Sequence, residues 1–145
     1  MTLIEQRHPK LGQLMQLWRS RCRGEALPPA SELAAVTERA ALAPMTVLLA
    51  RAGHDENQLT IVTSGAEVDA IYGESLVGAP VERLAPARDD AGREAWSAIE
   101  TARPVVIEDE LRVGDRRRRV ARLYLPLANA DGSTDGVLCG IVAVS

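Results

Sequence analysis

Apolar and polar positions divide the chain into a helical front, a short hairpin, a helical middle and a β-rich end. From Pro9, apolar residues fall at Leu11, Leu14, Met15, Trp18 and Cys22, one face of a helix, with Gln13, Gln16, Arg19 and Arg23 on the other. Pro9 suits the first helical position, where its missing N–H costs nothing, and Gly24 marks a stop. Pro28-Pro29 reads as a rigid linker. A second helix is predicted over 31–42, with Glu32 in its first turn and Pro44 ending it.

A β-branched and Leu-rich run predicts a strand over 45–51, a polar hairpin loop at 53–57 and a return strand over 59–63. Ser64-Gly65-Ala66-Glu67 matches a capping box, in which the Ser and Glu side chains satisfy free N–H groups at a helix start. The short helix that follows closes at Gly73, and 74–84 reads as a broken helical segment interrupted by Gly78 and Pro80. A longer helix is predicted over 88–101, with Asp89 and Asp90 opposing its dipole and Ala95, Trp96, Ile99 and Ala102 on its buried side. Pro104 forbids its continuation. Strands follow over 105–113 and 116–127, joined by a two-residue turn at Gly114-Asp115. A turn at 130–133 leads to a last strand over 137–144. That strand is apolar at both alternations, so it must be covered on both faces. The order lacks βαβ alternation, which predicts an α+β fold with an antiparallel sheet.

With 145 residues the chain is one domain, long enough to bury a core without disulfides or a metal. Hydrophobic residues at 46% and charged residues at 26% argue against disorder. There is no Phe, so Leu, Val, Ile and Ala must build the core. The formal charge of -3 gives no pull toward nucleic acid or an anionic membrane. Cys22 and Cys139 have no zinc or CxxC spacing and are expected as buried, reduced thiols. The first residues lack an apolar signal segment and no stretch reaches membrane-spanning length, so the expectation is a cytoplasmic protein.

Catalytic chemistry has few candidates. His8 and His54 are the only histidines; neither sits in a metal or triad spacing, and both are expected at the surface. No paired carboxylates, nucleophile elbow or phosphate loop is present, so neither an enzyme nor a metal site is expected. The acidic run Glu108-Asp109-Glu110 and the basic run Arg116-Arg117-Arg118-Arg119 share one predicted hairpin. The two-residue turn sets Glu110 opposite Arg119, so cross-strand charge pairing is the favoured reading. The sharper alternative is an anion site for a nucleotide or phosphate. Nucleic acid is disfavoured, because no aromatics are interleaved with the arginines.

Two segments carry a family resemblance. The stretch 71–84, from Ile71-Tyr72-Gly73 through Leu76-Val77-Gly78 to Leu84, resembles the PAS pattern of a helix ending in glycine, a polar turn, Leu-x-Gly and a short apolar helix. Leu125-Pro126-Leu127, Asp131-Gly132 and Val137-Leu138-Cys139-Gly140-Ile141 are similar, in that order, to the final PAS hairpin. Trp18 through Arg23-Gly24, followed by Leu27-Pro28, resembles the opening of a PAS variant common in alphaproteobacteria. The resemblance implies a five-stranded antiparallel sheet with helices on one face and an N-terminal helix on the other. Residues 1–27 would form the N-terminal helix and linker, and 28–145 the PAS-like core. It also implies a small cavity under the central helices, with Val47, Ile61, Ile71, Tyr72, Trp96, Ile99, Val106, Leu123 and Ile141 assigned to its lining.

PAS domains hold haem, flavin, small acids or nothing. This chain has no histidine and no reactive cysteine motif on the central helices, and only Tyr72 and Trp96 could stack on a flavin; both are expected to pack in the core. No cofactor is therefore expected, and a small apolar ligand or an empty cavity is favoured over a coloured cofactor. The stripe Leu11, Leu14, Met15, Trp18 and Cys22 would cap its own sheet, join two copies in a homodimer, or do both. The expected function is a stand-alone PAS-type sensory module. It would bind a small ligand or partner protein and signal through the N-terminal helix or dimer interface to an unknown signalling protein. The alternatives are a ligand-free interaction scaffold and, in a narrower form, a nucleotide second-messenger sensor using Arg116 to Arg119.

Overall fold

The computed structural model describes residues 7–24, 26–51, 59–85, 91–128 and 136–144. The expected loops at 53–57 and 130–133, with His54, Asp89 and Asp90, lie outside the described residues. Helix α1 spans Pro9–Arg21, with Pro9 in its first turn and Arg19 and Arg21 in its last. Cys22 lies just past its end in extended conformation. Helix α2 spans Ala30–Arg39, shorter than the periodicity predicts, because the chain reverses at Ala41 (φ 60°) into the 3-10 turn Ala43–Met45. The remaining elements are β1 (Thr46–Arg51), β2 (Leu59–Ser64), α3 (Ala66–Tyr72), the 3-10 turn Val81–Leu84, α4 (Ala91–Thr101), β3 (Val105–Val113), β4 (Arg116–Leu127) and β5 (Gly136–Val144).

The five strands form one antiparallel sheet in the order β2-β1-β5-β4-β3. The first hairpin and the final meander thus meet through β1 and β5, and the connecting helices cross one face. The β3–β4 hairpin closes at Val113↔Arg116 and sets Glu110 opposite Arg119, the register its turn residues predict. The outer edge of β2 is occupied by the chain at 78–80, where the Ile61 N–H donates to the Ala79 carbonyl at 2.8 Å and the Gly78 N–H to the Ile61 carbonyl at 2.8 Å.

Two apolar layers flank the sheet. The inner layer packs Val68 and Tyr72 of α3, Val81 and Leu84, and Ala95, Ala98 and Ile99 of α4 onto Val47, Leu49, Val120, Tyr124, Val137, Cys139 and Ile141. The outer layer packs Leu11, Leu14, Met15 and Trp18 of α1 and Leu33 of α2 onto Ala121, Leu123, Leu125, Leu127 and Leu138. Both N-terminal helices therefore share the outer face. Strand β5 contributes to both layers, as its double apolar alternation requires, except that Ala143 is exposed. Gly140 lies directly under α1: a Cβ there would stand 2.6 Å from Leu14 Cδ2 and 2.9 Å from Leu11 Cδ2. The proline linker is tied down as well, with the Ala128 N–H donating to the Pro28 carbonyl at 3.0 Å.

Two local expectations are corrected. The capping box does not form, since Gly65 caps α3 without any side-chain bond. The Ser64 hydroxyl instead bonds the Asp69 carboxylate, and Glu67 faces Lys10 of α1 at 3.7 Å. Close packing selects Gly65: a Cβ there would lie 2.3 Å from the Pro44 carbonyl oxygen. Ala102 is exposed with φ 54°, because α4 ends at Thr101 and the chain must turn sharply into β3.

Candidate functional site

Strand β4 alternates its side chains between the layers, so Ala121, Leu123 and Leu125 face α1 while Arg122 and Tyr124 face the helices of the inner layer. Arg122 is 0% exposed, an arginine at the centre of an apolar layer. Such a cation persists only if it is paired and hydrogen-bonded. Its Nη1 and Nη2 donate to the two carboxylate oxygens of Asp109, each at 2.9 Å. Asp109 lies on β3 two positions along from the residue directly opposite Arg122, a diagonal cross-strand contact. Nη2 also donates to Glu94 Oε1 on α4 at 3.1 Å, and Nε donates to Tyr124 Oη at 3.0 Å. The Tyr124 hydroxyl donates in turn to Glu94 Oε1 at 2.7 Å. The result is a closed set of four groups joining α4, β3 and β4.

The electrostatics follow from this geometry. Burial opposes the charge on Arg122, but the Asp109 bonds, with Tyr124 and Glu94, outweigh it and hold the guanidinium ionised well beyond its ordinary range. Burial keeps the Tyr124 phenol protonated, as it does that of Tyr72, whose hydroxyl donates to the Leu84 carbonyl at 2.6 Å. Cys139, on the same inner face, is fully enclosed and its thiol is pushed up to about 12 by burial. Cys22 is half-buried and its thiol is also raised by burial. Among the described residues, no cluster of three or more His, Cys, Asp or Glu side chains could hold a metal ion.

Of the residues assigned to a cavity, Val47, Ile61, Tyr72, Ile99 and Ile141 lie in the inner layer, with Ile71 and Trp96 at its margin. Val106 and Leu123 do not. They pair with each other across β3 and β4 on the outer face, where Leu123 packs under the N-terminal helices and Val106 is 43% exposed. The error is one of parity: shifting by one residue along a strand reverses the face. Trp96 stacks under the Arg51 guanidinium, 5.2 Å from the ring centroid, and its buried indole N–H has no hydrogen-bond partner among the described residues.

The four consecutive arginines do not converge, since alternation sends them to both faces. On the outer face Arg119 pairs with Glu108 at 3.2 Å and Arg117 stands 4.0 Å from Glu110. Glu110 is opposite Arg119 in register, yet the 3.2 Å contact runs on the diagonal to Glu108. His8, expected at the surface, is buried: its Nε2 lies 3.1 Å from Glu108 Oε2, beside Arg7 at 3.2 Å from Oε1. The His8 and Arg119 hydrogen bonds hold the Glu108 carboxyl below its usual range. The N-terminal stripe covers its own sheet, with the Trp18 indole N–H donating to the Pro126 carbonyl at 2.8 Å.

Sequence reasoning passed over Arg122, Asp109 and Glu94 as a set. The signal was present: Arg122 is the one charge inside the run Val120-Ala121-Arg122-Leu123-Tyr124-Leu125, in a strand flanked by an apolar one. An arginine covered on both sides requires carboxylate partners.

This topology, with helices across the inner face of a five-stranded antiparallel sheet, is the PAS fold. No protein-family model matches the sequence. No curated protein matches it either. Solved structures do. A light-oxygen-voltage domain studied through a flavin analogue superposes with a TM-score of 0.59 at 15% identity, over 79% of this chain and 85% of that one. The PAS domain of a protein from Colwellia psychrerythraea gives 0.56 at 18% identity, over 76% of this chain and 97% of the other. The light-state LOV domain of the blue-light photoreceptor Aureochrome1 gives 0.54 at 16% identity, over 76% and 88%. Identities at this level establish the fold and transfer no residue roles.

Proposed function

We propose that the chain is a PAS-type sensory or regulatory module that relays an event in its inner helical layer to its N-terminal helix. The observation that carries this reading is the double duty of β4. Its inward residues Arg122 and Tyr124 hold Glu94 of α4, while its outward residues Leu123 and Leu125 carry α1. A displacement of α4 therefore strains the same strand that seats the N-terminal helix. Trp18 anchors that helix to Pro126, and the alphaproteobacterial variant read from the Trp…Arg-Gly opening is part of the proposal.

The residues of the inner layer do not fit a flavin or haem. The inner face carries the enclosed guanidinium of Arg122 with its carboxylate partners, and α3 and α4 offer neither imidazole nor thiol. The reading assigns no resident cofactor and no catalytic step, since the four ionisable or polar groups of the network answer one another. It places the protein in the cytoplasm, where both thiols stay reduced; among the described residues no helix is long and apolar enough to cross a membrane. A homodimer and a separate output protein complete the proposal.

Hydrogen exchange on wild type and Glu94→Gln tests it. The variant keeps the side chain's shape and removes one charge from the network. Faster exchange in α1, with global stability little changed, is the expected result. A change confined to α4, β3 and β4 would refute the relay. The second reading, a ligand-free interaction domain, is favoured by the fully paired centre of the inner layer. Native mass spectrometry of freshly purified protein separates the two through the presence or absence of co-purifying mass.

A further inference from the structure

The β1–β5 register runs only from Ala50↔Gly136 to Thr46↔Gly140, whereas β4 pairs with β5 as far as Arg119↔Val144. Beyond Thr46 the chain has turned away into Ala43–Met45, so residues 141–144 have a strand on one side only. The space that β1 vacates is a cleft of about 450 Å³. The free edge of β5 at 141–143 lines it, with Val142 partly open and Ile141 enclosed beneath; Glu67 and Ile71 of α3 and Lys10 of α1 line its sides, and Arg118 of β4 stands at the rim. Ile71 and Val142 remain partly open to solvent and the neighbouring Ala70 and Ala143 are exposed, so the apolar lining lacks a cover.

The charge at the rim is unbalanced. Lys10 and Glu67 pair at 3.7 Å across the helical walls. Arg118 makes no ion pair or hydrogen bond among the described residues, unlike Arg117 and Arg119 beside it. Among the described residues that line the cleft, two cations and one carboxylate leave a single positive charge beside an apolar lining.

We propose that this cleft binds a small amphipathic monoanion, a free carboxylate on an apolar body, with Arg118 holding the head and Ile71 and Val142 receiving the body. The volume lies within the range of small-molecule sites. The Lys10–Glu67 contact joins α1 and α3 at the cleft. The site joins the N-terminal helix to the inner layer, so its occupant would bear on both. It stands on the cleft's own geometry, separate from the relay proposed above.

Decanoate, titrated calorimetrically below its self-association range, is the probe. Saturable one-site binding is expected, with decanol and decyltrimethylammonium each at least about tenfold weaker, the order of one charge-assisted hydrogen bond. Arg118→Gln should weaken decanoate about tenfold and leave decanol unchanged. Ala70→Trp, which fills the slot from an exposed position, should abolish binding of both, with thermal melting near wild type confirming the fold. No heat with decanoate, equal binding of the cationic amphiphile, or full binding by Ala70→Trp would overturn the site. So would co-sedimentation with anionic phosphatidylglycerol vesicles in place of decanoate binding. Those failures leave the relay intact, because hydrogen exchange on Glu94→Gln reads it without any ligand.

Discussion

Arg122 is the residue on which the inner layer turns. Arg122 is the single cation between Asp109 and Glu94, so removing it leaves two buried carboxylates uncompensated, a loss of about 3–5 kcal/mol, whereas neutralising Glu94 leaves the Arg122–Asp109 pair intact. Arg122→Met should therefore lower stability by that amount in urea unfolding. Replacing the set together, as Arg122→Met with Asp109→Leu, Glu94→Met and Tyr124→Phe, should recover most of it, since well-packed apolar side chains of similar volume are often neutral against a buried ion pair. If the combined variant stays as unstable as the single one, the network does more than balance its own desolvation. The position of Arg122 was readable as an anomaly in an apolar run; its partners were not. Glu94 lies 28 residues away on another element, and only the docking of α4 brings it within 3.1 Å.

Among the elements, the N-terminal helix and the β3–β4 hairpin depend on each other. Glu108 gathers Arg7 and His8 from the start of α1 and Arg119 from β4. Its carboxyl is held below the ordinary range, so the folded state prefers it ionised more than the unfolded state does. The stability it contributes is present in full above the ordinary carboxylate pKa and is lost as pH falls through the depressed one. Acidification should therefore loosen α1, seen as a change in Trp18 fluorescence in a Trp96→Phe background. Glu108→Gln should remove that acid-side dependence. An unchanged titration in Glu108→Gln would show that the helix docks through its apolar face alone. The hairpin itself was legible in the sequence, because a two-residue turn fixes register and register fixes which residues oppose. The capping box was not, because Gly65 passes close to the Pro44 carbonyl while Ser64 and Glu67 are drawn to Asp69 and Lys10.

For the whole molecule the question is what α1 covers. Leu11, Leu14, Met15 and Trp18 are spent on the chain's own sheet, so a second copy must use other surface unless the helices exchange. Leu14→Ala should cost about 2–5 kcal/mol, the range for deleting a buried leucine. That loss should be the same at low and high protein concentration in equilibrium unfolding. A concentration-dependent loss would place the stripe in a shared interface instead. By itself the sequence determined the α+β class, the strand order in time, the closing turn of the hairpin and the two-sided burial of β5. These follow from local periodicity and turn chemistry, which act over a few residues. Only the tertiary structure decided which face each β4 side chain takes, that the four arginines separate, that His8 is buried on Glu108, and that Arg118 stands at the rim of an uncovered cleft. Each of those depends on groups distant in sequence meeting in space, and no short-range pattern encodes such a meeting.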